Sequence, residues 1–254
     1  KVHASTSNLG SGFDAVGMAL SLSNTYTFKT HGKTVLEGFG FLYGTEDNLV
    51  LMAYRKTLEA TGFDPLGYPV MITETSRSIP VSRGLGSSSA CIVAGVTGAL
   101  LMTGQAPDKA KIMRIATMIE GHPDNVAPVV HGGLVTVAMA DGVPLVLGHP
   151  VSPNLHFSCL VPDFEVRTKD ARSALPEQYS RGDVVHAVSR ALILTRAFSD
   201  GDLGLVGTVF DDVIHEPYRY PLIKGSDDVV SQIRKTGAVV AISGSGPTLF
   251  VVGK

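Results

Sequence analysis

The stretch Pro80-Val-Ser-Arg-Gly-Leu-Gly-Ser-Ser-Ser-Ala-Cys-Ile-Val93 decides how the chain is read, because a Gly- and Ser-rich loop runs there directly into an apolar helical pattern. Upstream, Tyr68–Thr75 alternates as a strand; downstream, Ala90–Met102 holds small and apolar residues suited to a buried helix. Gly84 and Gly86 let backbone N–H groups approach an anion closely. The unpaired N–H groups of the first helical turn point at that anion, and the helix dipole favours its negative charge. Ser87, Ser88 and Ser89 add hydroxyls for phosphate oxygens or a hard cation. The loop reads as a phosphate cradle, with a plain helix-capping turn as the bland alternative.

Three better-known loops do not fit. A nucleoside-triphosphate P-loop needs Gly-x-x-x-x-Gly-Lys-Ser/Thr, and no Lys stands in that frame. A dinucleotide fingerprint needs a third glycine where Ser89 stands. A serine-hydrolase elbow needs a glycine after its serine, and this loop has none.

Composition bounds the remaining classes. A chain of 254 residues can bury a sizeable core as one large domain or two smaller ones. A formal net charge of −2 without a Lys/Arg run argues against a nucleic-acid binder. Two cysteines, Cys91 and Cys159, make no disulfide framework and read as small buried hydrophobes. No apolar run reaches the ~18 residues of a membrane span, and no charged-then-apolar signal opens the sequence, so a reducing cytoplasm is the expected location. The sequence starts at Lys1 with no Met, inside an expected strand, a start compatible with missing residues.

Other stretches carry chemistry. Val2–Asn8, then Leu9-Gly-Ser-Gly-Phe-Asp14 and Ala15–Leu22, read as strand, glycine turn and return. Glu46–Glu59 reads as a helix that Asn48 can cap. Asp108–Ile119 has one apolar helical face and ends in Glu120-Gly-His-Pro-Asp-Asn-Val-Ala-Pro128, for any one residue a polar Pro turn with Asx capping. Gly148–Asn154 has the turn chemistry of a boundary. Beyond it, a strand over Leu155–Val161, helices over Asp183–Ser199, Asp202–Ile214 and Ser226–Thr236, and a strand–turn–strand over Ala238–Val252 are expected.

These stretches resemble the GHMP small-molecule kinases. In the cradle, Pro80, Gly84, Leu85, Gly86, Ser87 and Ser88 match the family loop Pro-x-x-x-Gly-Leu-Gly-Ser-Ser-Ala, with Ser89 where the family has Ala. The resemblance implies that this loop, Arg83 and Ser89 included, wraps the phosphates of ATP and that Ser88 helps to hold Mg²⁺. Asn8, Leu9, Gly10, Gly12, Phe13 and Asp14 are similar to a second motif in its homoserine-kinase form, with His3 and Ser11 replacing prolines. This assigns Asn8 and Asp14 to an amino-acid substrate and Asn48 to the nucleotide base. Glu120–Pro128 followed by Gly132-Gly133 resembles the bacterial homoserine-kinase branch nearly letter for letter, and Ser243-Gly-Ser-Gly-Pro-Thr248 the third family motif. The resemblance fades across His31–Glu46.

The resemblance, together with what phosphoryl transfer requires, implies roles for these residues. Glu120 and Ser88 are metal ligands, and His122 and Asn125 meet the substrate hydroxyl. Asp124 is either a base, as in mevalonate kinases, or an orienter of Asn125, with positioning ranked first. Thr168 and Arg172 of Thr168-Lys-Asp-Ala-Arg172, and Arg219, grip an α-carboxylate. Gly244 and Gly246 line the phosphate and substrate cleft.

The pattern alone gives an α/β fold. The resemblance makes it a GHMP kinase fold, with residues 1–150 like ribosomal protein S5 domain 2, holding the ATP loop and metal site. Residues 151–254 are ferredoxin-like, holding the substrate arginines and third glycine motif. The implied activity is ATP-dependent phosphorylation of L-homoserine in threonine biosynthesis, with no nucleic-acid or membrane partner; a homodimer is compatible with it. A kinase for another small alcohol such as mevalonate, or a non-catalytic ligand-sensing member, are the alternatives.

Overall fold

In the computed structural model, which describes all 254 residues, the glycine turn near residue 10 reverses β1 (Val2–Ser7) into the long strand β2 (Val16–Thr30). The second half of β2 is rich in Thr, Tyr and Phe, side chains that fit a pleated, half-buried surface. β2 is the spine of a six-stranded sheet. Its first half pairs antiparallel with β1 on one side and β5 (Leu134–Ala140) on the other, and its second half pairs with β4 (Val70–Ser76). β3 (Val35–Glu37) and β6 (Val143–His149) form the edges, on β4 and β5 respectively.

Four helices go with this sheet: α1 (Leu49–Ala60), α2 (Ser87–Met102), α3 (Lys109–Glu120) and α4 (Val126–His131). α2 lies at the centre, with Ile92, Val93, Val96 and Leu100 all buried. This explains why its sequence is apolar all round rather than striped. At Gly95 a Cβ would come within 2.3 Å of the Val50 carbonyl oxygen, so α1 and α2 approach backbone to backbone. The polar stretch after Glu120 stays a turn through Asn125, and α4 begins only after it, without a side-chain cap from Asn125. Pro128 falls in the first turn of α4, where a missing N–H costs nothing.

The rest of the chain supplies β7 (His156–Leu160), α5 (Thr168–Ser173), α6 (Arg181–Asp200), α7 (Leu203–Val209), α8 (Glu216–Arg219), α9 (Ser226–Lys235), β8 (Val239–Ile242) and β9 (Leu249–Gly253). Their strands form a three-stranded antiparallel sheet in the order β7-β9-β8. The helix expected over Asp202–Ile214 stops at Val209. The reason is Asp212, whose carboxylate accepts from the N–H groups of Ile214, His215 and Glu216 and so opens α8 instead. The sheets are joined by a shared core in which Leu9, Val16, Met18 and Leu134 pack with Leu194, Phe198 and Phe250. No helix is long and apolar enough to cross a membrane. Both cysteines are free, and burial pushes each thiol up to about 11.

Three glycine loops meet beside this core. Gly84 has φ +73°, and a Cβ there would stand 2.2 Å from the Ser243 carbonyl oxygen. The Ser243 hydroxyl donates to the Gly84 carbonyl (2.6 Å), and the Gly244 N–H to the Ser7 carbonyl (2.9 Å). Glu216 secures the third loop from below, its Oε1 accepting from the Ile242 N–H at 2.6 Å.

Two outcomes follow from this packing. Gly84→Ala combines a left-handed backbone, costing about 1–3 kcal/mol, with a backbone clash. Gly142→Ala, at φ +76° with nothing within 4 Å, carries only the first cost. Denaturant unfolding should therefore show Gly84→Ala the more destabilised, and equal losses would refute the close approach. Burial pushes the Glu216 carboxyl up to about 8 from an ordinary 4.5, so its neutral form favours the fold. That contribution is complete below about pH 4.5 and is lost as pH rises to about 8. Glu216→Gln keeps the acceptor and removes the ionisation. Its melting temperature should gain on wild type between pH 5 and 8, whereas a gap constant with pH would show that Glu216 does not titrate on unfolding.

Candidate active site

The loops enclose a cleft of about 320 Å³ whose lining is drawn from both halves of the chain and is more polar than apolar. At one end, Gly86 begins α2 in the left-handed conformation and no side chain caps the helix. Its first-turn N–H groups are left for a ligand, the arrangement that favours anions. Ser88 and Ser89 each donate to Glu120, Oγ to Oε2 and Oγ to Oε1, both at 2.8 Å. Glu120 reaches them because α3 ends there, at Gly121. No group of three or more His, Cys, Asp or Glu side chains is assembled to hold a metal. Two hard oxygens, from Ser88 and Glu120, fit an ion that takes its remaining ligands from phosphates and water, as Mg²⁺ does.

In the middle of the cleft, His122 Nδ1 and Asp124 Oδ1 are 2.6 Å apart, with Asp124 buried. Burial alone would raise the Asp124 pKa, but the bond to His122 and its charge, with help from Ser7 and Arg172, hold it below the ordinary carboxylate range. Burial likewise works to lower His122, and the Asp124 bond and charge outweigh it, so its pKa is raised. Asn125 donates through Nδ2 to the Ser7 hydroxyl (2.7 Å) and accepts through Oδ1 from the Ser5 hydroxyl (3.0 Å). Ser5 and Ser7 were not legible as site residues. The trace they leave in the sequence is a pair of hydroxyls at alternate positions of a buried strand, which share one face.

At the other end lie two guanidinium groups. Arg172 makes a two-point contact with Asp14, at 2.8 and 3.1 Å. Burial would lower its pKa, and Asp14 more than compensates. Arg219 is 1% exposed, donates through Nη1 to the Gly244 carbonyl at 2.9 Å and lies over the Phe13 ring at 5.2 Å. Burial, then repulsion from Arg172, lowers its pKa. Nε reaches the Ala171 carbonyl at 3.4 Å, and Nη2 has no protein acceptor. Thr168 lines the same end, its Oγ 3.4 Å from the Ser245 hydroxyl.

Several expected residues also make structural contacts. Asn8 lines the cleft, and its side chain donates to the Gly244 carbonyl (3.0 Å) and accepts from the Asp14 N–H (2.8 Å), joining two loops. The Arg83 guanidinium turns to the Pro162 and Asp163 carbonyls (3.0 and 2.9 Å) and to Glu165 (3.1 Å), binding the loop to the C-terminal half. Pro80 and Gly246 lie outside the cleft lining; a Cβ on Gly246 would face Ile223 and Ile242. Asn48 caps α1, accepting from Val50 and Leu51 N–H and donating to the Tyr43 carbonyl. It lines instead a second cavity of about 340 Å³, which shares Leu49, Val81 and Ser87 with the cleft. That cavity also has Tyr26, Phe39, Tyr43 and Arg77, with Arg77 5.0 Å over the Tyr43 ring.

Comparison with known proteins bears on the family and the fold. Residues 48–133 match the GHMP kinases N terminal domain and residues 194–254 the GHMP kinases C terminal domain. The homoserine kinase of Moorella thermoacetica is 38% identical over 98% of this chain and 85% of its own length. That of Clostridium acetobutylicum is 37% identical over 99% of this chain and 86% of its own. The crystal structure of homoserine kinase from Cytophaga hutchinsonii superposes with a TM-score of 0.85 at 32% identity, over 99% of this chain and 83% of that one. With motifs, fold and near full-length relatives in agreement, the chain belongs to the GHMP kinase family.

Proposed function

We propose that the protein transfers the γ-phosphoryl group of ATP to the side-chain hydroxyl of L-homoserine, acting in the cytoplasm on two small molecules. The observation that carries this reading is the pairing of two ends in one cleft. An uncapped helix N-terminus beside Ser88–Glu120 suits a metal-bound polyphosphate, and Arg172 with Arg219 suits a carboxylate. Relatives named homoserine kinases at 37–38% identity support the amino-acid substrate. Residues 1–150 would hold the nucleotide and residues 151–254 would supply the arginines.

Each end follows from its chemistry. The first-turn N–H groups of α2 and the Ser87 hydroxyl face the phosphates, and Ser88 and Glu120 hold Mg²⁺, which neutralises charge on the phosphoryl oxygens. The adenine takes the aromatic-lined cavity beside α1, with Asn48 shaping its wall. An aliphatic carboxylate completes Arg219, whose Nη2 lacks a protein acceptor, and competes with Asp14 for the Arg172 fork. Asp14, thereby released, meets the substrate ammonium. Asp124 is a poor proton acceptor at its depressed pKa. Its part is to fix His122, while Asn125, held from both sides by Ser5 and Ser7, positions the hydroxyl.

A coupled ADP-release assay across homoserine, mevalonate, shikimate and galactose tests the substrate. Homoserine alone should support Mg²⁺-dependent turnover. Equal turnover with mevalonate would overturn the amino-acid assignment, and none with any alcohol would point to a non-catalytic member. Ser88→Ala and Glu120→Gln should each lower kcat/KM about ten- to a hundred-fold. The double variant should lose less than the product of the two, because both serve one ion. A multiplicative loss, or an unchanged Mg²⁺ dependence in both single variants, would separate their roles.

A further inference from the structure

Behind Arg219 stands a histidine that the phosphoryl-transfer scheme leaves unused. His215 is 0% exposed, and its ring stacks on Phe13 with centroids 5.3 Å apart. Its Nδ1 is 3.3 Å from Arg219 Nη1 and its Nε2 3.1 Å from the Asn8 carbonyl oxygen. A guanidinium only donates, so Nδ1 must accept and carries no proton. Nε2 then carries the ring's hydrogen and donates it to Asn8. The two contacts fix a single neutral tautomer without further assumption.

The surroundings favour that form. The charged groups against the ring are Arg219 and Asp212, the latter with Oδ2 3.7 Å from Nε2. That oxygen, Oδ2, is already committed to the N–H groups of Ile214, His215 and Glu216, while Oδ1 has no hydrogen-bond partner. Burial pushes the His215 pKa down; Asp212 works against this, and the Arg219 charge adds to it.

We propose that His215 is a positioning residue for the substrate carboxylate: as the Nε2–H tautomer it ties the Arg219 guanidinium to the main chain of Asn8, aiming the free Nη2 into the cleft. This rests on the reading of Arg219 as a carboxylate ligand. Asn8 stands at φ +59° and itself holds Gly244. One imidazole thus sets the guanidinium relative to both the first and the third glycine loops. The Phe13 ring, stacked under both His215 and Arg219, prevents either from rotating away.

The test compares His215→Phe, His215→Asn and Arg219→Ala on homoserine and on the carboxylate-free 3-amino-1-propanol. His215→Phe keeps the stack and deletes both nitrogens. It should raise the homoserine KM about ten-fold, with the KM for ATP and kcat/KM for the analogue nearly unchanged. His215→Asn, whose amide oxygen can accept from Arg219, should recover part of that loss. His215→Phe combined with Arg219→Ala should be no worse than Arg219→Ala alone. If Arg219→Ala discriminates between the two alcohols and His215→Phe does not, the role of His215 is wrong and that of Arg219 stands. Equal losses on both alcohols in Arg219→Ala would remove the carboxylate reading, and this inference with it. Should His215→Phe fail to fold, the imidazole ¹⁵N shifts of the native enzyme at pH 7 decide. A protonated Nε2 and bare Nδ1 support the proposal; an imidazolium or the Nδ1–H tautomer overturns it.

Discussion

The architecture of the site depends on one backbone junction, where the third glycine loop is pressed against the first two. The Gly244 carbonyl accepts from the Asn8 side chain at 3.0 Å and from Arg219 at 2.9 Å, while the Gly244 N–H donates to Ser7 at 2.9 Å. Gly84 closes the same junction against Ser243 from the other side. Side chains at these contacts would hold the loops apart, which is the physical reason for glycine at Gly84. The shared core around Leu9, Leu134, Phe198 and Phe250 lies nearby and keeps the two sheets at the spacing the junction requires.

Charge is distributed along the cleft in a way that folding alone would not favour. A buried guanidinium costs several kcal/mol unless paired, yet Arg219 contacts carbonyl dipoles, an imidazole and an aromatic face rather than a carboxylate. Arg172, the second cation, has taken Asp14. The acidic groups Glu120 and Asp124 line the cleft with them, and Glu120 is committed to two serine hydroxyls. Such spacing of unlike charges suits a ligand with a carboxylate at one end and a metal-bound phosphate at the other, in keeping with the proposed reaction. Stability given up in one place is characteristic of functional sites.

Much of this was legible in the sequence, for identifiable reasons. Glycine loops followed by helix or strand patterns are local signals, so the cradle before α2, the turn after β1 and the hairpin of β8 and β9 could be read directly. Residues that act across the fold were harder. Ser5 and Ser7 look like ordinary strand residues until α4 brings Asn125 over them. The cavity with Phe39 and Tyr43 draws on the 31–46 stretch, where no periodic pattern guides the eye. The end of α7 was missed because the apolar pattern runs on past Val209; the signal that stops it is local, Asp212 accepting from N–H groups two to four residues on.

The segment Asp212–Arg219 shows how a few residues couple these levels. Asp212 sets the start of α8, and Glu216 anchors Ile242 just before the third glycine loop. One turn of helix apart, His215 and Arg219 then face the same way, as residues four apart must. Hence the imidazole can hold the guanidinium without help from another element, and both can share the Phe13 ring. Buried ionisable groups concentrated on so short a helix are costly to fold. Here His215 is held neutral by proton loss and Glu216 by proton gain, leaving Arg219 as the charge this short helix presents to the cleft. The local sequence therefore encodes the direction of that charge as well as its presence.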